Sequence, residues 1–345
     1  MALFGRRRAE TTPLQDVDVV LADLDGVVYA GTGALPHAVE SLNLSREGRR
    51  LGYITNNASR TDASVAGHLS ELGLATEPAD VVTSPQAAMR LLTERIAAGS
   101  TVLVVGGDGL VSELQKSGFV VTRSADDAPA AVVQGFAPEV GWAHLAEAAY
   151  ALALPEEEGG IPWIATNTDW TIPQARGVAP GNGTLVSAVH TAVGRLATVA
   201  GKPEVPIFEE AVARFGARHP LFLGDRLVTD ILGANRAGIP SALILTGIDR
   251  PKHVLAAPAG SQPTFILGDL RELHEPYPEA SVRDGVVTVG GAKVRVEGPD
   301  VQIVAEGDRP VDLLRAGAKA IWDTGRAIYG FRVPERLYAD PFHRP

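Results

Sequence analysis

The sequence contains no cysteine. Disulfides, thiolate catalysis and cysteine-based zinc sites are therefore excluded together, and the composition fits a reducing cytoplasm. No run approaches the roughly 18 consecutive apolar residues needed to span a bilayer, so no membrane insertion is expected. The amino end, Met1 to Arg8, carries charge with no apolar stretch behind it and does not read as a secretory signal. Residues 1–14 are expected to form a disordered tail. Positive charge is in deficit as well. A formal net charge of −10 argues against a nucleic-acid partner, and an anionic substrate would need a local cation or metal. None of the eight histidines stands in a metal-like spacing, and there is no internal repeat or low-complexity block.

What is present is enough for more than one domain. The chain has 345 residues, 45% of them hydrophobic, which allows two domains or one domain with a large insertion. Short β-branched runs alternate with helical patterns, which predicts βαβ units and a parallel sheet, an α/β fold. Val17–Leu21, Leu51–Ile54, Pro220–Leu223 and Ser241–Leu245 are strand candidates of one such sheet. Val65, Leu69 and Leu72 recur with helical spacing ahead of Gly73. Between these groups, Val102–Val105, Ala131–Val133 and Trp163–Ala165 predict further strands, and Leu145–Leu152 a helix. This reads as an inserted second α/β domain over residues 85–195, the first domain comprising residues 15–84 and 196–275. From residue 276 the texture changes. Val286–Val289 and Lys293–Val296 flank Gly290-Gly291, a hairpin signal, with Val301–Ala305 as a third strand. Val311, Leu314, Ala318 and Ile321 then predict one amphipathic helix, weakened by Gly317. This small α+β extension, 276–345, reads as a packing or dimer-forming module, so a homo-oligomer stays open. It has no Gly-rich pyrophosphate loop.

Three strands of the first group end in residues suited to phosphate and metal, and ligands of open parallel sheets sit beyond such ends. Asp23 and Asp25 follow one strand, Thr55, Asn56 and Asn57 end the second, and Asp225 ends the third. A carboxylate can attack phosphorus in line with the leaving oxygen, and a second carboxyl can handle the proton. Like-charged carboxylates at 4 Å cost on the order of 4 kcal/mol per pair at an effective dielectric near 20. A divalent cation removes that conflict, and oxygen-only ligands favour Mg²⁺ over zinc. Lys202, in Gly201-Lys202-Pro203 and just before a helix opened by Pro206, is the candidate cation for the transferring oxygens. By itself it would read as a solvated loop lysine.

Four strings in order carry a family resemblance: Asp23-Leu24-Asp25-Gly26-Val27-Val28-Tyr29, Ile54-Thr55-Asn56-Asn57, Gly201-Lys202-Pro203, and Gly224-Asp225-Arg226-Leu227-Val228-Thr229-Asp230-Ile231. They resemble the motifs of haloacid dehalogenase (HAD) superfamily phosphatases over about residues 15–275. The large insertion resembles the C2 cap of the NagD-like, class IIA group. Val105 to Leu110, Gln134 to Phe136, Ala165 to Asp169 and Pro180 to Leu185 are similar to that group too. The resemblance implies a Rossmann-like core and Asp23 as nucleophile, with Asp25 as general acid and base. It implies that Thr55, Asn56, Asn57 and Lys202 hold the phosphoryl group. Mg²⁺ would be held by Asp23, the Asp25 main-chain carbonyl and Asp225, with Asp230 orienting Lys202 or a metal water. A helix N-terminal acid is an equally good reading of Asp230. Ala137 and Trp142 stand where the cap commonly has an aspartate and a tyrosine, and Pro155–Gly160 reads as a solvated loop expansion. Asp169 and Arg176, in the 169–182 stretch, are candidates for the substrate-facing loop, against a plain connecting loop. The whole chain resembles actinobacterial NagD-like proteins with a carboxyl-terminal addition, which implies glycerol 3-phosphate. Nucleoside monophosphates, pyridoxal phosphate and sugar phosphates are the other small phosphorylated metabolites to weigh. A phosphomutase or a non-catalytic phosphate sensor is the rival reading.

Overall fold

Apolar runs separated by a helix become parallel strands, and the one region of closely spaced runs becomes an antiparallel meander. The computed structural model describes residues 11–174 and 176–342, so residues 1–10 of the expected tail lie outside it. The remainder of that stretch is held: Thr11 accepts the Tyr277 backbone N–H at 2.9 Å, and Leu14 is buried, its carbonyl accepting from Arg49 at 3.0 Å. The chain forms two units, Met1–Leu51 with Ala217–Pro345, and Gly52–Gly216.

In the first unit Val19–Ala22 pairs in parallel with Pro220–Gly224, which pairs with Ser241–Ile244, which pairs with Phe265–Leu267. The first and third of these are buried at every residue, as uninterrupted apolar runs in a parallel sheet require. The carboxyl-terminal region adds four antiparallel strands in sequential order, Ser281–Arg283, Val286–Val289, Ala292–Glu297 and Asp300–Ala305, then the helix Pro310–Trp322. The extra strand beyond the expected hairpin follows from Asp284-Gly285, whose φ values of 50° and 73° suit a tight two-residue turn. Val287, Val294, Val311, Leu314 and Ile321 share one apolar core with Leu227, Ile231, Leu243 and Val254 of the parallel layer. Each such side chain, fully buried, contributes about 1.5–3 kcal/mol, so the extension is part of this unit's core. Gly317 makes room in the helix for Leu337, since a Cβ there would stand 2.6 Å from a Leu337 methyl.

The strand Arg50–Thr55 leads into the second unit and pairs in parallel with Val81–Thr83. A five-stranded parallel sheet follows, ordered Thr198–Val199, Trp163–Ala165, Ala131–Gln134, Thr101–Val105, Val120–Thr122. Leu103, Val132, Trp163 and Val186 form its core with Ala148 and Leu152 of the helical layer. The 169–182 stretch is a hairpin, Thr171–Gln174 against Gly177–Pro180. Pro155–Gly160 holds a short turn of 3-10 helix, and Arg195 ties it down by donating to the carbonyls of Leu154 and Ile161 at 2.6 and 2.8 Å. The α/β reading of the sequence stands.

Candidate active site

In the first unit Asp23 directly follows Val19–Ala22 and Asp225 directly follows Pro220–Gly224, so the parallel register brings the two carboxylates to neighbouring strand ends. The Asp23 N–H donates to Leu223 at 2.8 Å, which fixes that register at its last step. Asp230 joins them through a π turn over Leu227–Ile231, in which the Ile231 N–H reaches back to the Arg226 carbonyl at 3.1 Å. One oxygen from each of Asp23, Asp225 and Asp230 lies within 4.8 Å of the others, and all three residues are buried. At that separation each like-charged pair costs about 3–4 kcal/mol at an effective dielectric near 20.

Backbone donors and missing side chains hold the cluster. Asp230 accepts from the N–H groups of Asp225 and Arg226 at 3.1 and 3.0 Å, and Asp225 accepts from Ile248 at 2.7 Å. A Cβ at Gly26 or at Gly247 would run into the Asp225 carboxylate, and one at Gly224 into Asp230. Gly26 also has φ +83°, so the Asp-Gly end of the first motif needs glycine for two independent reasons. Asp25, one residue earlier, is exposed on the loop that closes when the Gly26 N–H bonds Tyr29 at 2.9 Å. An all-oxygen donor set with three clustered carboxylates fits Mg²⁺ and does not fit a soft metal.

The second unit holds the remaining candidates. Thr55 ends Arg50–Thr55, is buried, and its hydroxyl accepts the Asn57 N–H at 3.1 Å. The Asn57 side chain is spent on its own turn, accepting from the Ser59 and Arg60 N–H groups at 2.9 and 3.3 Å. Asn56 faces Lys202 instead. Its Oδ1 accepts the Lys202 N–H at 2.8 Å, and its Nδ2 donates to the Lys202 carbonyl at 3.0 Å and to the Asp169 carboxylate at 3.2 Å. Lys202 is buried, and Gly201 makes the pairing feasible, since a Cβ there would stand 2.6 Å from Asn56 Oδ1. Asp169 is thus tied to the Lys202 loop, whereas Arg176 is exposed in the hairpin's connecting turn. Trp142, one of the cap departures, is exposed at the start of the helix Trp142–Ala151, and Ala137 is buried.

Sequence reasoning did not find the loop after Ser241–Ile244. Thr246 donates to the Gly26 carbonyl at 2.9 Å, Ile248 donates to Asp225, and Asp249 accepts the Leu227 N–H at 2.5 Å. A polar Thr-Gly pair at the end of a buried strand was the available signal.

With this geometry in view, the comparisons agree. Residues 20–120 match the family model for haloacid dehalogenase-like hydrolases, and residues 199–273 match a second model of the same kind. The D-glycerol 3-phosphate phosphatase of Mycobacterium tuberculosis is 42% identical over 332 residues, covering 94% of this chain and 91% of its own. Human chronophin is 35% identical over 275 residues, covering 74% of this chain and 92% of its own. A crystal structure of a glycerol phosphate phosphatase from M. tuberculosis with magnesium superposes with a TM-score of 0.84 at 40% identity, covering 93% and 94%. The chain belongs to the haloacid dehalogenase-like hydrolases, among their phosphatases. Among the described residues, no helix is long and apolar enough to cross a membrane.

Proposed function

We propose that the chain is a Mg²⁺-dependent phosphomonoester hydrolase that works through an aspartyl-phosphate on Asp23, with glycerol 3-phosphate as substrate. The observation that carries this is the convergence of the Asp23, Asp225 and Asp230 carboxylates at neighbouring parallel strand ends. An Asp23 oxygen attacks phosphorus as the ester P–O bond breaks, and Asp25 gives its proton to the departing alcohol. Asp25 then takes a proton from water, the water oxygen bonds phosphorus, and the Asp23–phosphorus bond breaks to release phosphate. The exposure of Asp25 suits this second role, which needs water at hand.

Thr55, the Asn56–Asn57 backbone and Lys202 are assigned to the phosphoryl oxygens. Asp23, the Asp25 carbonyl and Asp225 would hold Mg²⁺, with Asp230 fixing the Asp225–Arg226 backbone from behind. The ion supplies charge neutralisation and template action when bound. The reading takes residues 85–195 as the cap and 276–345 as an added packing module, and it places the enzyme in the cytoplasm. Support for glycerol 3-phosphate comes from the mycobacterial relative, whose similarity includes the carboxyl-terminal region.

The test is phosphate release with Mg²⁺ from a panel of glycerol 3-phosphate, nucleoside monophosphates, pyridoxal phosphate and sugar phosphates. A preference for glycerol 3-phosphate is expected. Preference for another ester would keep the mechanism and discard the substrate. No release from any ester, with EDTA making no difference, would overturn both.

A further inference from the structure

Asn56 is not the end of its hydrogen-bonded chain. The Asn167 amide, buried behind the strand Trp163–Ala165, donates from Nδ2 to the Asn56 carbonyl at 2.8 Å and accepts the Asp169 N–H on Oδ1 at 3.2 Å. The Asn167 carbonyl in turn accepts from Asn182 Nδ2 at 2.7 Å, and Asn182 opens the helix Asn182–Val193 directly after the cap hairpin. The base of that hairpin is closed by the Gly181 N–H to Trp170 at 2.8 Å and the Gly183 N–H to Asp169 at 3.0 Å. Glycine is required at both positions, since a Cβ at either would strike the Thr168–Asp169 backbone. The amides therefore run in series from the hairpin base, through Asn167 and Asn56, to both backbone groups of Lys202.

We propose that Asn167 is a positioning residue of the phosphatase reaction, acting through Asn56 to seat the Lys202 loop and to register it with the base of the cap hairpin. A buried amide with each end committed transmits position well, because leaving either end unsatisfied costs far more than the bond itself gains. The Asn56 main-chain carbonyl is held from two directions, by Asn167 and by the Ser84 hydroxyl at 2.8 Å, which fixes the backbone from which the Asn56 side chain reaches Lys202. The consequence for catalysis rests on the reading of Lys202 as the phosphoryl-holding cation.

The test is a double-variant cycle with a hydrogen-exchange readout. Asn167→Ala and Asn56→Ala are each expected to lower kcat/KM about 30-fold, and the double variant is expected to fall no further than Asn56→Ala alone. Losses that multiply in the double variant, or a single Asn167 variant within about threefold of the parent, would overturn the proposal. Exchange at the Lys202 amide, which donates to Asn56 Oδ1, should speed up in Asn167→Ala while the strand Ala131–Gln134 stays protected. Unchanged exchange at Lys202 would overturn it as well. If Asn167→Ala does not fold, Asn167→Asp, which keeps the acceptor and loses the donor, takes its place in both measurements. A parent enzyme inert toward every ester would sink the phosphatase reading instead, and the exchange result alone would then decide whether Asn167 seats the Lys202 loop.

Discussion

The first unit buries two clusters of charge, and they are built on opposite plans. Around Arg315 the signs are mixed. Its Nη1 donates to Asp312 at 2.7 Å, its Nη2 to Glu272 at 2.5 Å, and its Nε and Nη2 to the Ile266 carbonyl at 2.8 and 2.6 Å, with the guanidinium 4.2 Å from the Tyr277 ring centre. Tyr277 takes the Ile266 N–H on its hydroxyl at 3.2 Å. Ile266 sits on the free side of Phe265–Leu267, so these side chains of the extension satisfy backbone groups that an open sheet edge would leave exposed. At Asp23, Asp225 and Asp230 three carboxylates converge instead, and backbone N–H groups and glycines are among the contacts that hold them. A mixed cluster completes itself and holds structure. Converging carboxylates raise the free energy of the fold unless positive charge offsets them, a demand that suits a site kept for chemistry.

The comparison breaks if removing a charge has the same effect in both places. Asp23→Asn should reduce phosphate release by at least about 1000-fold, while the melting temperature measured without metal stays level or rises. A variant that keeps activity, or one that loses stability, would count against the assignment. Arg315→Met should do the reverse. It strands Asp312 in the interior, leaves Glu272 to Arg309 at 3.1 Å, and should cost about 3–5 kcal/mol in denaturant unfolding, while activity per folded molecule stays within about twofold. Mg²⁺ sharpens the contrast further. At a hundred times its dissociation constant it should add about 2.7 kcal/mol to the parent and to Arg315→Met alike, but little to Asp225→Asn, as thermal melts would read out.

The two clusters were not equally legible in the sequence. Asp23 and Asp225 could be found because each follows a buried strand at once, and a parallel sheet brings such ends together. Asp230 was harder, because five residues from Asp225 is no helical spacing; only the π turn over Leu227–Ile231 brings it back. The Arg315 cluster left no trace. Arg315, Asp312 and Glu272 read as ordinary surface charges of amphipathic segments, and their burial depends on the extension folding over Phe265–Leu267. Residues 169–182 read as a loop from their turn formers, yet they hold a hairpin, in which Pro173 is tolerated because every strand of a two-stranded ribbon is an edge. Asp284-Gly285 is the opposite case, a good hairpin signal only six residues from Gly290-Gly291, and it turns Ser281–Arg283 onto Val286–Val289.

The smallest effect belongs to a third acid, Asp18, which precedes the strand that ends at Asp23. Burial works against its charged form, but the backbone N–H groups of Arg218 and His219, both at 2.9 Å, hold the carboxyl below the ordinary aspartate range. A folded-state value below the unfolded one of about 3.9 means the contribution is fully present above that pH and is lost as pH falls through the folded value. Asp18→Asn should therefore be less stable than the parent by about 1 kcal/mol or less, by the same amount from pH 5 to 8, with the gap closing in acid. Denaturant melts of both proteins across that range give the check. A gap that instead widened as the pH fell would mean that Asp18 is held by something other than its charge. It would then no longer stand with the acids that backbone donors stabilise.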